Sequence, residues 1–117
     1  MEKMGILTCI RSNEVCTGAG CLNAFHDRTD FFKDYPKDVR LGAFMTCNGC
    51  ASECAKEPEE DAGMLEKADR LVQEGIRKVH VGVCRLKKDK SECERISRIC
   101  RMLEARGIEV IRGTHRE

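Results

Sequence analysis

The chain has 117 residues, of which 41% are hydrophobic and 35% are charged, so we expect one compact domain over residues 1–117. Its 21 basic and 20 acidic residues nearly cancel, which argues against binding to nucleic acid or to an anionic membrane. No apolar run approaches the roughly 18 residues of a membrane span, and no signal-peptide pattern follows Met1, so we expect a cytoplasmic protein.

Four short apolar segments predict β-strands, and a helical pattern separates each from the next. The strands are expected over residues 4–10, 39–46, 76–83 and 108–111, and the helices over residues 21–34, 58–74 and 92–106. Ser91 and Glu94 form a capping-box pattern before the third helix. The order β-α-β-α-β-α-β predicts an α/β fold with a small four-stranded parallel sheet and helical crossovers.

Nine cysteines are the unusual feature of the composition. Their odd number and the lack of an export signal disfavour the disulfide framework of small secreted domains. In the cytosol, thiols at this density more often bind metal or carry out redox chemistry. Intracellular disulfides, which some archaea and thermophiles keep, remain a less favoured alternative.

Parallel topology is expected to gather most of these cysteines at one edge of the sheet. All parallel strands end at the same edge, each crossover helix begins there, and ligands of open α/β sheets bind there. Cys9, Cys47 and Cys84 stand at or near strand ends. The other ligand-type residues near this edge are Cys16, Cys21, Cys50, Cys54, Cys93 and His115. The partial positive charge of helix N-termini favours thiolate, the form that binds metal or attacks.

The central motif is Thr46-Cys47-Asn48-Gly49-Cys50, which follows an apolar strand. Asn and Gly tolerate positive φ, so both sulfurs are expected to point the same way from a tight turn. This spacing suits one metal ion. Cys54 could add a third sulfur, although the familiar iron–sulfur runs use other spacings.

Together these landmarks resemble the CGGC-domain family, small prokaryotic proteins named for a central Cys-Gly-Gly-Cys. The landmarks are Cys9, Cys16-Thr17-Gly18-Ala19-Gly20-Cys21 with Ala24-Phe25, Cys47-Asn48-Gly49-Cys50, Cys84, and Gly113-Thr114-His115. The resemblance implies metal binding, with zinc as the expected metal, because the family is regarded as metal-binding on the strength of its Cys and His residues. The implied ligands are Cys9, Cys16, Cys21, Cys47, Cys50, Cys84, Cys93 and His115.

Two positions depart from the family pattern. Asn48 replaces the first Gly of the central motif, which is a mild change because Asn also tolerates the left-handed region. Cys93-Glu94-Arg95 stands where the family often has Cys-Pro-His, so a possible ligand His is absent. Cys100 falls within the apolar stripe of the third helix and is expected to pack in the core, and His80 is expected to be structural.

Three functional hypotheses follow from the sequence. The first is a metal-binding domain that holds zinc or, alternatively, an iron–sulfur cluster. The implied ligands outnumber the four of one tetrahedral zinc site, so the domain could hold two ions, or one ion and a redox pair. The second is a thiol–disulfide redox protein using Cys47 and Cys50, although no Trp or Pro flanks that pair. The third is that the cysteines only stabilise the fold. Whether a reaction is catalysed is left open.

Overall fold

The computed structural model of the protein describes residues 2–50 and 56–115. Within these residues, four strands and three α-helices alternate along the chain. The strands are β1 (Lys3–Thr8), β2 (Arg40–Thr46), β3 (Ile76–Val81) and β4 (Glu109–Arg112). The helices are α1 (Ala19–Asp27), α2 (Ala62–Gln73) and α3 (Glu94–Ala105). This order confirms the predicted α/β fold.

The four strands form one sheet in the order β2-β1-β3-β4, and every neighbouring pair is parallel. The chain therefore moves one way from β1 to β2, then crosses back over β1 to add β3 and β4. This reversal leaves a crevice between the carboxyl ends of β1 and β3, the position where open α/β sheets bind ligands. The crevice lies at the edge of the sheet where the sequence predicts that the cysteines meet.

Helices cover both faces of the sheet. Right-handed crossovers place α1 on one face and place α2 and α3 on the other. The α1 side is packed by Met4, Ile6, Phe25, Phe32 and Val39. The side of α2 and α3 has the larger core, which includes Leu7, Met64, Leu71, Val79, Val81, Ile96, Ile99 and Leu103. None of the helices in the described part of the chain is long and apolar enough to cross a membrane.

The first helix ends earlier than predicted, at Asp27 instead of near residue 34. Arg28 adopts a left-handed conformation (φ 55°) and closes the helix, because its guanidinium donates to the backbone carbonyls of Pro36 and Val39. A short 3₁₀ helix, Asp30–Phe32, then carries Phe32 into the core. The contacts of the Arg28 side chain with the loop before β2 stop the helix. The apolar pattern of the sequence does not predict these contacts.

The predicted starts of the second and third helices are also corrected. Asp61 caps α2 by accepting from the N–H groups of Gly63 and Met64, so the residues from Pro58 to Glu60 form a separate 3₁₀ helix. The capping box at Ser91 is wrong: the Ser91 hydroxyl donates to Asp89 instead, at 2.6 Å. Cys93 takes the N-cap position of α3.

The third strand ends at Val81 instead of residue 83, and Val83–Arg85 forms a 3₁₀ helix. His80, within that strand, is fully buried. Burial lowers the pKa of His80 and keeps the ring neutral. The ring then donates from Nδ1 to the Gly113 carbonyl (2.8 Å) and accepts from the Tyr35 hydroxyl at Nε2 (2.7 Å). His80 is therefore the structural histidine that the sequence analysis expected.

Candidate functional site

The cysteines near strand and helix ends do gather at the carboxyl edge of the sheet. Cys9 directly follows β1, Cys47 directly follows β2, and Cys84 lies in the 3₁₀ helix after β3. Cys21 is in the first turn of α1, and Cys93 caps α3. Residues separated by up to 84 positions along the chain therefore share one edge because the strands are parallel.

Four of these thiols line one cavity of about 660 Å³, which we call the thiol cavity. They come from four separate segments: Cys9 from the loop after β1, Cys50 from the central motif, Cys84 from the 3₁₀ helix after β3, and Cys93 from the start of α3. The other lining residues in the described part of the chain are Arg11, Ser12, Arg85, Leu86, Lys87 and Lys88. None of the described residues that line the cavity is acidic.

Cys47 lies beside the thiol cavity and belongs to the core. Its side chain is 3% exposed, and Cys9 and Cys93 pack against the same core. Burial raises the pKa of Cys47, while N–H groups of Ile10 and Gly49 act in the opposite direction. The Ile10 N–H donates to the Cys47 sulfur at 3.5 Å. The sulfur is thus protonated at neutral pH but already faces donors that stabilise a thiolate.

Cys84 occupies the crevice between β1 and β3. Its sulfur accepts the backbone N–H of Cys9 at 3.1 Å, which ties the ends of the two strands together. Burial raises the pKa of Cys84, and this N–H lowers it. A Cβ on Gly82 would lie 3.3 Å from the Cys84 sulfur and 3.8 Å from the Cys21 sulfur. A glycine at position 82 therefore leaves room for both thiols.

Cys21 belongs to a second group that flanks the cavity without lining it. Its sulfur is 3.1 Å from the Thr114 hydroxyl, and burial raises the pKa of Cys21. Cys16 is exposed in the loop before α1, and its sulfur accepts the Gly18 N–H at 3.4 Å. The His115 ring lies against Gly20, with Nε2 3.2 Å from the position of a Cβ there.

The terminal Gly113-Thr114-His115 motif has a structural reason to follow β4. Gly113 has φ 141°, and a Cβ there would approach the Phe31 ring to 2.5 Å, so only glycine fits. Its carbonyl accepts from His80, and the next residue, Thr114, reaches Cys21. The motif thereby brings the end of the chain back to the start of α1.

The central turn is held in place by α2. The Lys67 ammonium donates to the Thr46 carbonyl and to the Asn48 side-chain carbonyl, both at 2.7 Å. The Asn48 amide donates to Asp61, the cap of α2, at 3.2 Å. Asn48 does not have positive φ, unlike Gly49 at 128°. Asn48 therefore stabilises the turn through its side-chain hydrogen bonds. Of the two central residues of the motif, only Gly49 adopts the positive φ that the sequence predicted.

Helix α3 holds the same turn from the other side. Arg95 is buried, with 7% of the residue exposed, and its Nε donates to the Gly49 carbonyl at 3.0 Å. Arg95 stands where the resemblance places a possible ligand His, so this chain uses the position to fix the turn. Sequence reasoning missed the roles of Lys67, Asp61 and Arg95, because each contact joins segments far apart in the chain.

The thiols do not form a ready-made metal site. Among residues 2–50 and 56–115, no group of three or more Cys, His, Asp or Glu side chains is arranged to hold a metal ion. Cys54, the further candidate sulfur, lies outside the described residues. The eight-residue ligand set therefore stays a prediction. Cys100 is fully buried in the core between α3 and the sheet, as its apolar stripe predicted.

A larger open groove of about 780 Å³ lies at the opposite edge of the sheet. It runs between the end of α1 and the start of β2 and contains no cysteine among its described lining. Its positive side chains include Arg28, whose guanidinium is already bonded to backbone carbonyls. The groove therefore offers shape but none of the chemistry that distinguishes this chain.

Comparison with known proteins agrees with the sequence landmarks. Residues 3–115 match the CGGC domain. An uncharacterised protein from Methanocaldococcus jannaschii is 28% identical to the chain over 119 aligned residues, which cover 97% of this chain and 86% of the relative. No solved structure matches the chain. The match spans all four strands and the thiol cavity, and it confirms the resemblance stated above.

Proposed function

The chain belongs to the CGGC domain family, a cysteine-rich family for which metal binding has been inferred, and we propose that it binds a transition-metal ion, with zinc as the metal. The thiolates of the thiol cavity would be the ligands. Thiolates bind zinc strongly, and the thiols of a protein at neutral pH lose their protons when the metal binds.

The observation that carries this proposal is the convergence of Cys9, Cys50, Cys84 and Cys93 on one cavity from four segments of the chain. Packing alone does not require four thiols to face a common space. Backbone N–H groups also donate to two sulfurs: that of Cys84, in the cavity, and that of Cys47, beside it. Such hydrogen bonds stabilise the charged sulfur and are the outer contacts that metal-bound thiolates use.

These four thiols match in number the ligands of one tetrahedral zinc site. Their donor chemistry fits the metal, and side-chain rotation would be needed to bring the sulfurs to a common centre. Cys47 would be a fifth sulfur beside the site. The flanking group of Cys16, Cys21 and His115 would supply the ligands of a second ion. When bound, zinc would link the ends of β1, β2 and β3 to the start of α3, and it would act as a Lewis acid wherever a ligand position stays open.

Two alternatives are less well supported. An iron–sulfur cluster would use the same thiols, and its colour distinguishes it from zinc. A redox pair at Cys47 and Cys50 needs an accessible thiolate. Cys47 is 3% exposed and burial raises its pKa, so the attacking sulfur would have to be Cys50.

Elemental analysis and an ultraviolet–visible spectrum of protein purified without oxygen test the proposal. We expect a colourless protein with stoichiometric zinc. Cys84→Ser should lower the zinc content, whereas the control Cys100→Ala, in the core, should keep it. A brown protein with charge-transfer bands would show that the thiols hold an iron–sulfur cluster instead of zinc. A chain that holds no metal, even after reduced protein is incubated with zinc, would overturn the proposal.

A further inference from the structure

Gly82 leaves a gap between the thiol cavity and the flanking group. A Cβ at this position would lie 3.3 Å from the Cys84 sulfur, 3.8 Å from the Cys21 sulfur and 3.9 Å from the Thr114 hydroxyl. The two sulfurs are therefore at most about 7.1 Å apart, which is the sum of their two distances from that point. The backbone does not require glycine there, because its φ of −68° suits any residue. What the glycine provides is the space between the two thiols.

Cys84 has neighbours in both groups of thiols. It lines the thiol cavity, and its sulfur accepts the backbone N–H of Cys9 at 3.1 Å. Across the gap, the same sulfur faces Cys21. Burial is the main reason that the pKa of Cys84 is raised. Negative charge on Cys9, in the cavity, or on Cys21 and Cys16, in the flanking group, raises this pKa further, so both groups lie within electrostatic reach of one sulfur.

The number of ligands gives this position a role. A tetrahedral zinc ion takes four ligands, and the four cavity thiols match that number for the first ion. The flanking group contributes three ligands to the second ion: Cys16, Cys21 and His115. A thiolate sulfur has more than one lone pair and can bind two metal ions at once. If Cys84 is shared, each of the two ions has four ligands.

We infer that Cys84 is a bridging ligand that joins two metal ions across the gap at Gly82, one ion in the thiol cavity and one in the flanking group. This inference rests on the proposed function and adds the arrangement of its metal ions. Two sulfurs on one zinc ion are at most about 4.6 Å apart, because each zinc–sulfur bond is about 2.3 Å long. Rotation of the Cys21 and Cys84 side chains brings their sulfurs within this distance, and the gap leaves room for the movement. Each thiol that binds releases its proton to solvent, and no atom changes oxidation state.

Nuclear magnetic resonance of the reduced full chain, loaded with a cadmium isotope that has nuclear spin, tests the inference. Cadmium binds at thiolate sites as zinc does, and its spin couples to the β-protons of each cysteine that binds it. We expect two cadmium resonances at saturation. A proton–cadmium correlation spectrum should connect the β-protons of Cys84 to both resonances. The β-protons of Cys50 should connect to the first resonance only, and those of Cys21 to the second only.

Gly82→Ala tests the gap itself. The backbone accepts alanine, but the added methyl group stands between the Cys84 and Cys21 sulfurs. We expect this variant to keep the first ion and to bind the second about tenfold more weakly, because the sulfurs have to move around the methyl group. The matched control is Gly5→Ala in β1, where a Cβ would lie 3.5 Å from its nearest neighbours, atoms of Ala43 and Val79. The control should bind both ions as the unmodified chain does.

The results that overturn the inference differ from those that overturn the proposed function. If Cys84 couples to one cadmium ion only, or if a single ion binds at saturation, the bridge is excluded and metal binding stands. Unchanged affinity for both ions in Gly82→Ala would also overturn the inference, since the bridge is assigned to that gap. If neither cadmium nor zinc binds to the reduced chain, the proposed function fails, and the inference fails with it.

Discussion

Single residues in and around the central motif carry out tasks that their family counterparts do not suggest. Arg95 occupies the position of a possible ligand His, yet its buried guanidinium donates to the Gly49 carbonyl. Asn48 replaces a glycine, yet its amide joins Lys67 to Asp61. The two departures from the family pattern therefore act on the same turn: Asn48 joins it to α2, and Arg95 holds it from α3.

Replacing Arg95 by Ala should destabilise the chain by about 1–3 kcal/mol, because the buried Gly49 carbonyl loses its donor. Urea unfolding monitored by circular dichroism measures this change. Arg98→Ala is the matched control on the same helix, where the lost partners are the half-exposed Glu57 and Glu59; its cost should be clearly smaller than that of Arg95→Ala, because solvent screens exposed ion pairs. Equal costs for the two variants would contradict the proposed role of Arg95.

Asn48 and Lys67 should be energetically coupled, because their side chains share a hydrogen bond of 2.7 Å. A double-mutant cycle with Asn48→Gly and Lys67→Met is expected to give a coupling free energy of roughly 1 kcal/mol. The unfolding free energies of the four proteins provide it. Additive losses would show that the two side chains stabilise the turn independently.

At the scale of elements, the packing of α3 against the sheet makes a prediction about pH. Cys100 is fully buried there, and burial raises its pKa from the ordinary 9.0 to about 11. Between these values the unfolded chain loses this proton and the folded chain keeps it, so stability falls as pH rises. At pH 11 and above the loss from this one thiol approaches about 3 kcal/mol.

Unfolding by urea at pH 8, 9, 10 and 11 tests this linkage in metal-free, reduced protein. The fall in unfolding free energy should be smaller in Cys100→Ala than in the unmodified chain, since the alanine does not ionise. Buried Cys21 and Cys47 and half-buried Cys84 and Tyr35 add to the slope in both proteins, because burial raises their pKa values as well. The same pH dependence in both proteins would show that Cys100 ionises as freely in the folded chain as in the unfolded one.

For the molecule as a whole, the sequence predicts the alternation of elements and the edge where the thiols meet. Both depend on local information: apolar periodicity, glycines at helix ends such as Gly75 and Gly107, and the common direction of parallel strands. Helix starts are less predictable, because Asp61 and Cys93 compete with equally suitable residues a few positions away.

The sequence does not predict the strand order or which thiols share a cavity. The strand order depends on which crossover passes over β1, a choice that long-range packing makes. Cys21 turns towards Thr114 while Cys84 faces the cavity, and contacts with distant parts of the chain decide both orientations.

The central claim is that thiols from four separate segments bind one metal ion. Cobalt(II) titration of the reduced chain tests it most directly, because sulfur-to-cobalt charge-transfer absorbance reports thiolate ligands. We predict saturation with intense thiolate bands, and a weaker band in each of Cys9→Ser, Cys50→Ser, Cys84→Ser and Cys93→Ser, with Cys100→Ala unchanged. Thiolate absorbance that none of the four variants weakens, or no thiolate absorbance at all, would contradict the claim.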